Sequence, residues 1–300
     1  MGAADIVPGV SGGTIAFITG IYEHLLKSLQ SIVPEFFNLT KNRKFSAFWQ
    51  EIDGTFLITL FSGILLSVLI FAKLIGYLLV NHPIPLWSFF FGLIVASVSI
   101  VGKQVSVWNI RLFLSVFMGV VVAYFITQLS PASVEPSYLN AFLSGLIAIC
   151  AMILPGISGS FILVMLGTYS FILDAIREFD LIVLVVFSSG CLIGLLSIAN
   201  LLVWAFSHFR NMTLALLTGF MIGALTKVWP WKEVLTYREG RHGQLVPLLE
   251  QNVLPSTYEL ISGAPSQITL AIICALIAVV GVVSLESFAN VSKNSASEEV

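Results

Sequence analysis

One sentence of sequence is written twice in this chain: DIVPGVSGGTIAFITGIY at 5–22 and MILPGISGSFILVMLGTY at 152–169. Laid over one another, 4–22 and 151–169 share nine identities in 19 positions, including Pro, Gly, Ser and Gly in register. Proline lacks the backbone donor that a helix needs, and glycine adopts dihedrals closed to other residues. Each copy therefore ends one helix and opens another. A duplicated helix break constrains the fold more than any other feature, because it implies that the chain was built from two related halves.

The breaks fall in a chain made for lipid. Of its 300 residues, 57% are hydrophobic and 10% charged, where a soluble domain carries about 25% charged residues. Apolar runs lie at 54–80, 86–103, 112–129, 139–154, 160–175, 181–206, 212–228 and 266–286. The longer ones span a hydrocarbon core of about 30 Å, which takes about 20 helical residues. The runs behind the two motifs, 14–26 and 160–173, are too short to cross alone and read as re-entrant or broken helices. Cys150, Cys191 and Cys274 sit apart inside apolar runs as small hydrophobes, and the four histidines are scattered near segment ends. No basic tract suggests nucleic acid, and no cleavable signal peptide is visible.

The duplication extends beyond the motif. SGILLSVLIFAKL at 62–74 lies against SGCLIGLLSIANL at 189–201, and Gly92 falls on Gly219 at the same offset. The expected fold is an all-α integral membrane protein with two inverted repeats, each a re-entrant hairpin followed by three spans. The first repeat covers 1–129 and the second 130–289, with a polar outer loop at 229–265 and a disordered tail at 290–300. An odd number of crossings per half inverts the second half. Lys27, Lys41, Arg43 and Lys44 place the first linker in the cytoplasm, as Lys103, Arg111 and Arg210 place later turns. Lys232, Arg238 and Arg241 oppose the rule in the outer loop, where Glu233, Glu239, Glu250 and Glu259 accompany them.

The motif has its own chemistry. Ser11 is a good N-cap, followed by Gly12, Gly13 and Thr14; the second copy offers Ser158, Gly159 and Ser160. The first N–H groups of a helix lack internal partners and lie at the positive end of its dipole, so such a start receives anions. Inverted copies would aim two such ends at one site near the midplane, the geometry of a transporter for an anionic group. The competing reading is that these glycines serve close helix packing. Asp5 and Glu23 have no acidic counterparts in the second copy, where Met152 and Ser170 stand, which makes them candidates for ion coupling. Lys73 lies inside an apolar run, where a charge either serves function or snorkels to the interface.

MGAADIVPGVSGGT together with LPGISGS resembles a bacterial membrane family associated with polyprenyl-phosphate transport, the PopT family. The resemblance implies a flippase returning undecaprenyl phosphate from the outer to the cytoplasmic leaflet of the bacterial cytoplasmic membrane. It is carried by Asp5, Pro8, Gly9, Ser11, Gly12, Gly13 and Thr14, then Pro155, Gly156, Ser158 and Gly159. It also implies a further helical stretch ahead of residue 1, so that Met1 reads as an internal start. No enzyme activity, metal or cofactor is expected; the partners are the anionic lipid and membrane lipids, and the coupling ion is H+ or Na+. Two alternatives stay open: an integral-membrane lipid phosphatase, and a transporter of a small soluble anion.

Overall fold

The computed structural model describes residues 1–7, 10–42, 45–128, 134–239 and 245–298. Pro8 and Gly9 lie outside the described residues, as does Arg43 of the first linker. One turn, α1 (Gly2–Asp5), leads to α2 (Gly12–Ile18), the amphipathic α3 (Tyr22–Asn42) and α4 (Phe45–Glu51). Three apolar helices follow: α5 (Gly54–Asn81), α6 (Pro83–Lys103) and α7 (Ile110–Gln128). The second half runs through α8 (Tyr138–Ile153), α9 (Gly159–Met165), α10 (Tyr169–Glu178) and α11 (Leu181–Ala224). It then forms strands β1 (Lys232–Glu239) and β2 (Leu245–Asn252) before α12 (Pro255–Ser262) and α13 (Ile268–Glu298).

Local chemistry accounts for the boundaries. Asp53 caps α5, Ser137 caps α8 and Asp180 caps α11, each accepting from an otherwise unpaired N–H of the first turn. Pro83 opens α6, where its missing N–H costs nothing. At 44 residues α11 measures about 66 Å, twice a hydrocarbon core. It breaks at Phe209 (φ −137°, ψ 45°), between the two apolar runs that the sequence shows there. Together with α5, α6, α7 and α13, these helices make a multi-pass membrane protein.

The two motif regions share a backbone. Ser11 and Ser158 are extended caps of seven-residue helices. Each short helix then turns through a left-handed glycine, Gly20 at φ 73° and Gly167 at φ 70°, a conformation that a Cβ would strain. In the second copy α9 and α10 meet at 108°.

The spans exchange partners between halves. Gly92 of α6 packs so closely on α13 that a Cβ there would strike the Ala275 carbonyl. Gly219, its counterpart in α11, meets Val116 and Gly119 of α7 in the same way. The second span of each half thus receives the third span of the other, backbone to backbone, as small residues permit in a membrane where apolar burial between helices gives little. The first part of α11 carries α8, with Gly145 against Phe187 and Cys191, and Gly190 against Phe142.

The chain is mostly helical, as expected, with one departure in its polar segment. The chain is not wholly helical: β1 and β2 pair antiparallel inside the polar segment at 229–265. A segment leaving the bilayer must still satisfy its backbone groups, and KEVLTYRE, with its β-branched and aromatic residues, does so by pairing with the strand that follows. Beyond 290, α13 continues as far as Glu298.

Candidate functional site

The two motifs meet and interlock. The Ser11 hydroxyl donates to the carbonyls of Met152 (3.0 Å) and Leu154 (3.2 Å), just before the second motif, while its oxygen accepts from the Gly13 amide at 3.1 Å. Thr14 Oγ1 accepts from the Gly156 amide at 3.1 Å. The buried Tyr22 hydroxyl donates to the Ile153 carbonyl at 3.2 Å. Gly156 itself is left-handed, at φ 89°, and seated against Phe220 and Met221 of α11. Breaking a helix at Pro155 frees carbonyls of α8 that lipid cannot satisfy, and the first motif supplies the donors.

These bonds occupy the hydroxyls of the first motif. Ser11 and Thr14, expected at an anion-receiving helix start, are 1% and 0% exposed and are engaged with the second copy. In the second motif Ser158 caps α9 through the Phe161 amide at 3.5 Å and shares a 3.0 Å bond with Ser160, which is exposed. Pro155 and Gly159 are buried, Gly159 against Ala148 and Met152 of α8.

An anion already stands at the start of α2. Asp5 Oδ1 accepts from the Gly12 amide at 2.7 Å. Its Oδ2 is buried and finds no hydrogen-bond partner among the described residues. A Cβ at Gly12 would collide with this carboxylate, so the glycine is what lets the anion reach the backbone. Asp5, Gly12 and Gly13 border a cavity holding about 550 Å³ of empty space, its open mouth included, whose lining is almost wholly apolar. Its walls include Leu25 and Leu29 of α3, Leu60 and Ile64 of α5, and Leu195 of α11.

Two predicted residues lie apart from this junction. Lys73 is exposed on α5 and makes no hydrogen bond or ion pair among the described residues. Glu23 pairs with Arg210 at 2.7 Å, beside the break in α11, next to His24 bonded to Asp53 at 2.9 Å. Sequence reasoning passed over Tyr22, although the Tyr22–Tyr169 identity in the repeat marked it. It also gave no site role to three charged side chains at the other end of the bundle, Lys227, Lys232 and Glu250. The signal there was the aromatic run VWPW at 228–231, which the two lysines bracket.

A largely apolar cavity bordered by the buried Asp5–Gly12 contact suits a lipid chain, and comparison with known proteins points the same way. Residues 1–246 match the family described as "Undecaprenyl phosphate translocase-like". A "Polyprenyl-phosphate transporter" of Vibrio cholerae serotype O1 is 50% identical over 289 residues, covering 96% of this chain and 94% of that protein. A protein of the same name from Staphylococcus aureus is 32% identical over 248 residues, covering 77% of this chain and 83% of its own length. No solved structure matches the chain. With its broken helices, paired motifs and family match over most of its length, the chain belongs to the undecaprenyl phosphate translocase-like family, transporters and not enzymes.

Proposed function

We propose that this protein moves a polyprenyl phosphate, in the first place undecaprenyl phosphate, from the outer to the cytoplasmic leaflet of a bacterial cytoplasmic membrane. The observation that carries this reading is the Asp5–Gly12 contact at the edge of an apolar cavity. A carboxylate held on a helix-opening amide marks the place where a phosphate headgroup can sit, and the leucine-lined walls suit a prenyl chain. Phosphate and Asp5 cannot both hold the Gly12 amide as anions. Headgroup binding displaces the carboxylate or gives it a proton, so H+ is the coupling ion we favour over Na+.

The two halves are read as inverted repeats. The exchange of third spans between α6 and α11, and the serine caps of α2 and α9, support that reading. Alternating access would be rocking of one half against the other, with the interlocked motifs between them. A lipid phosphatase fits less well: His24 is spent on Asp53 and Phe56, and His208 on the Trp204 carbonyl. A transporter of soluble anions gives no reason for the apolar walls.

The test is reconstitution in liposomes with labelled undecaprenyl phosphate, under an imposed pH or sodium gradient. Label should move in the direction of the proton gradient, and leucine at Gly12 should abolish movement while leaving insertion intact. Normal flipping by that variant would remove the headgroup from this site.

A further inference from the structure

The segment after α11 buries more positive than negative charge. Lys232 Nζ donates to Glu250 Oε2 at 3.1 Å, and Lys227 Nζ lies 3.7 Å from the same oxygen. The Lys232 side chain is 7% exposed, against 21% for Lys227 and 22% for Glu250. Each ammonium also faces a ring: Lys232 lies 4.0 Å from the Trp87 centroid, and Lys227 lies 4.7 Å from that of Phe161. Aromatic faces offset part of the cost of withdrawing a cation from water, but one carboxylate neutralises only one of two lysines.

The arrangement is fixed by the fold. Trp229 Nε1 donates to the Val253 carbonyl at 2.9 Å and Trp231 Nε1 to the Ser266 carbonyl at 2.8 Å. Asn252 Nδ2 donates to the Thr226 carbonyl at 2.7 Å. These bonds tie both strands to the helix ends and hold the charged groups over the bundle. A clasp between hairpin and bundle needs a single lysine; the second is what asks for a ligand. Phe161 is the third residue of α9, so Lys227 stands beside the first turn of the second motif, where Ser160 is exposed. The cluster lies at the end of α6 and α11 opposite Lys103 and Arg210, which the positive-inside rule makes the outer end.

We propose that Lys227 and Lys232 form a capture site for a phosphate monoester, at which Glu250 holds the two ammonium groups until the ester takes its place. A phosphate brings three acceptor oxygens and about two negative charges, enough to satisfy both lysines where Glu250 satisfies one. The phosphate chemistry rests on the lysines alone; the identity of the ester as a lipid rests on the function proposed above.

The experiment uses the full chain in nanodiscs, titrated calorimetrically with inorganic phosphate and with farnesyl phosphate, with farnesol as the uncharged control. Lys227→Gln and Lys232→Gln should each weaken farnesyl phosphate binding by about ten-fold, the loss expected for one charge-assisted bond. Glu250→Gln should tighten it, because it removes the competing carboxylate while keeping the side-chain shape. A structural clasp behaves differently: all three variants would lose thermal stability together, and Glu250→Gln would not tighten binding. That pattern overturns the site. Should Lys232→Gln fail to fold, Lys227→Gln and Glu250→Gln decide between the two patterns. Equal binding of both phosphate probes would assign the site to free phosphate, whereas preference for farnesyl phosphate over both inorganic phosphate and farnesol assigns it to the lipid headgroup. Wild-type flipping with affinities unchanged in all three variants sinks this proposal and leaves the function standing. Phosphate binding without flipping does the reverse.

Discussion

The Thr14 hydroxyl accepts a hydrogen bond from the Gly156 amide at 3.1 Å, joining residues 142 positions apart and welding the two copies of one motif. The amide is buried, so its partner cannot be replaced by water. Thr14→Val removes the acceptor and keeps the shape, and should cost about 1–3 kcal/mol, the penalty for an orphaned buried donor. Thr14→Ser should retain most of the stability. Thermal unfolding of the two variants in detergent checks this; equal melting temperatures would mean that the bond contributes nothing.

The glycines of the span exchange should tolerate no side chain. Gly92→Ala and Gly219→Ala each drive a Cβ into a carbonyl of the facing helix and should destabilise by about 1–3 kcal/mol. Gly63→Ala is the internal control, since no described atom lies within 4 Å of a Cβ there. Its melting temperature should match or slightly exceed that of the wild type, as alanine favours helix over glycine. A Gly63→Ala loss equal to that at Gly92 would contradict the packing.

Asp5→Asn keeps an oxygen able to accept from the Gly12 amide but carries no charge. If the carboxylate is the proton carrier, flipping by this variant should lose its dependence on an imposed pH gradient while headgroup affinity rises. Liposomes with and without the gradient measure the first, and titration with farnesyl phosphate measures the second. Gradient dependence equal to wild type would take the coupling role away from Asp5.

Lys232 provides a pH signature at the other end of the bundle. Burial, with Lys227 adding to it and Glu250 opposing, pushes its ammonium down to about 8. Burial acts to raise the Glu250 carboxyl, but the two lysines outweigh it and hold it below the ordinary range, so it stays ionised. The lysine is charged below about pH 8 and neutral above, and an anion binds the charged form. Farnesyl phosphate affinity should therefore fall as pH rises through about 8, and Lys232→Arg, which stays protonated, should flatten the fall. A decline that persists in the arginine variant would place the titrating group elsewhere.

What the sequence determined by itself was everything governed by short-range rules. The doubled motif, the Ser11 and Ser158 caps, the turns at Gly20 and Gly167 and most of the apolar helices follow from residues within a few positions of one another. The match of Gly92 to Gly219 was legible as well, though not which helices those glycines would meet. The tertiary structure alone decided the partners. Ser11 and Thr14 looked like free hydroxyls because a sequence shows donors and acceptors but not the broken helix of the other half that consumes them. Asp5 acquired its place through the Gly12 amide, and Lys73 stands exposed on α5, apart from the residues that line the junction. Lys232 and Glu250 read only as charges of a polar loop, and Lys227 drew no reading, until the β-hairpin folded over the bundle and brought the three together. Burial of a charge is a property of what covers it, and the cover here comes from strands and helix ends far apart in the chain.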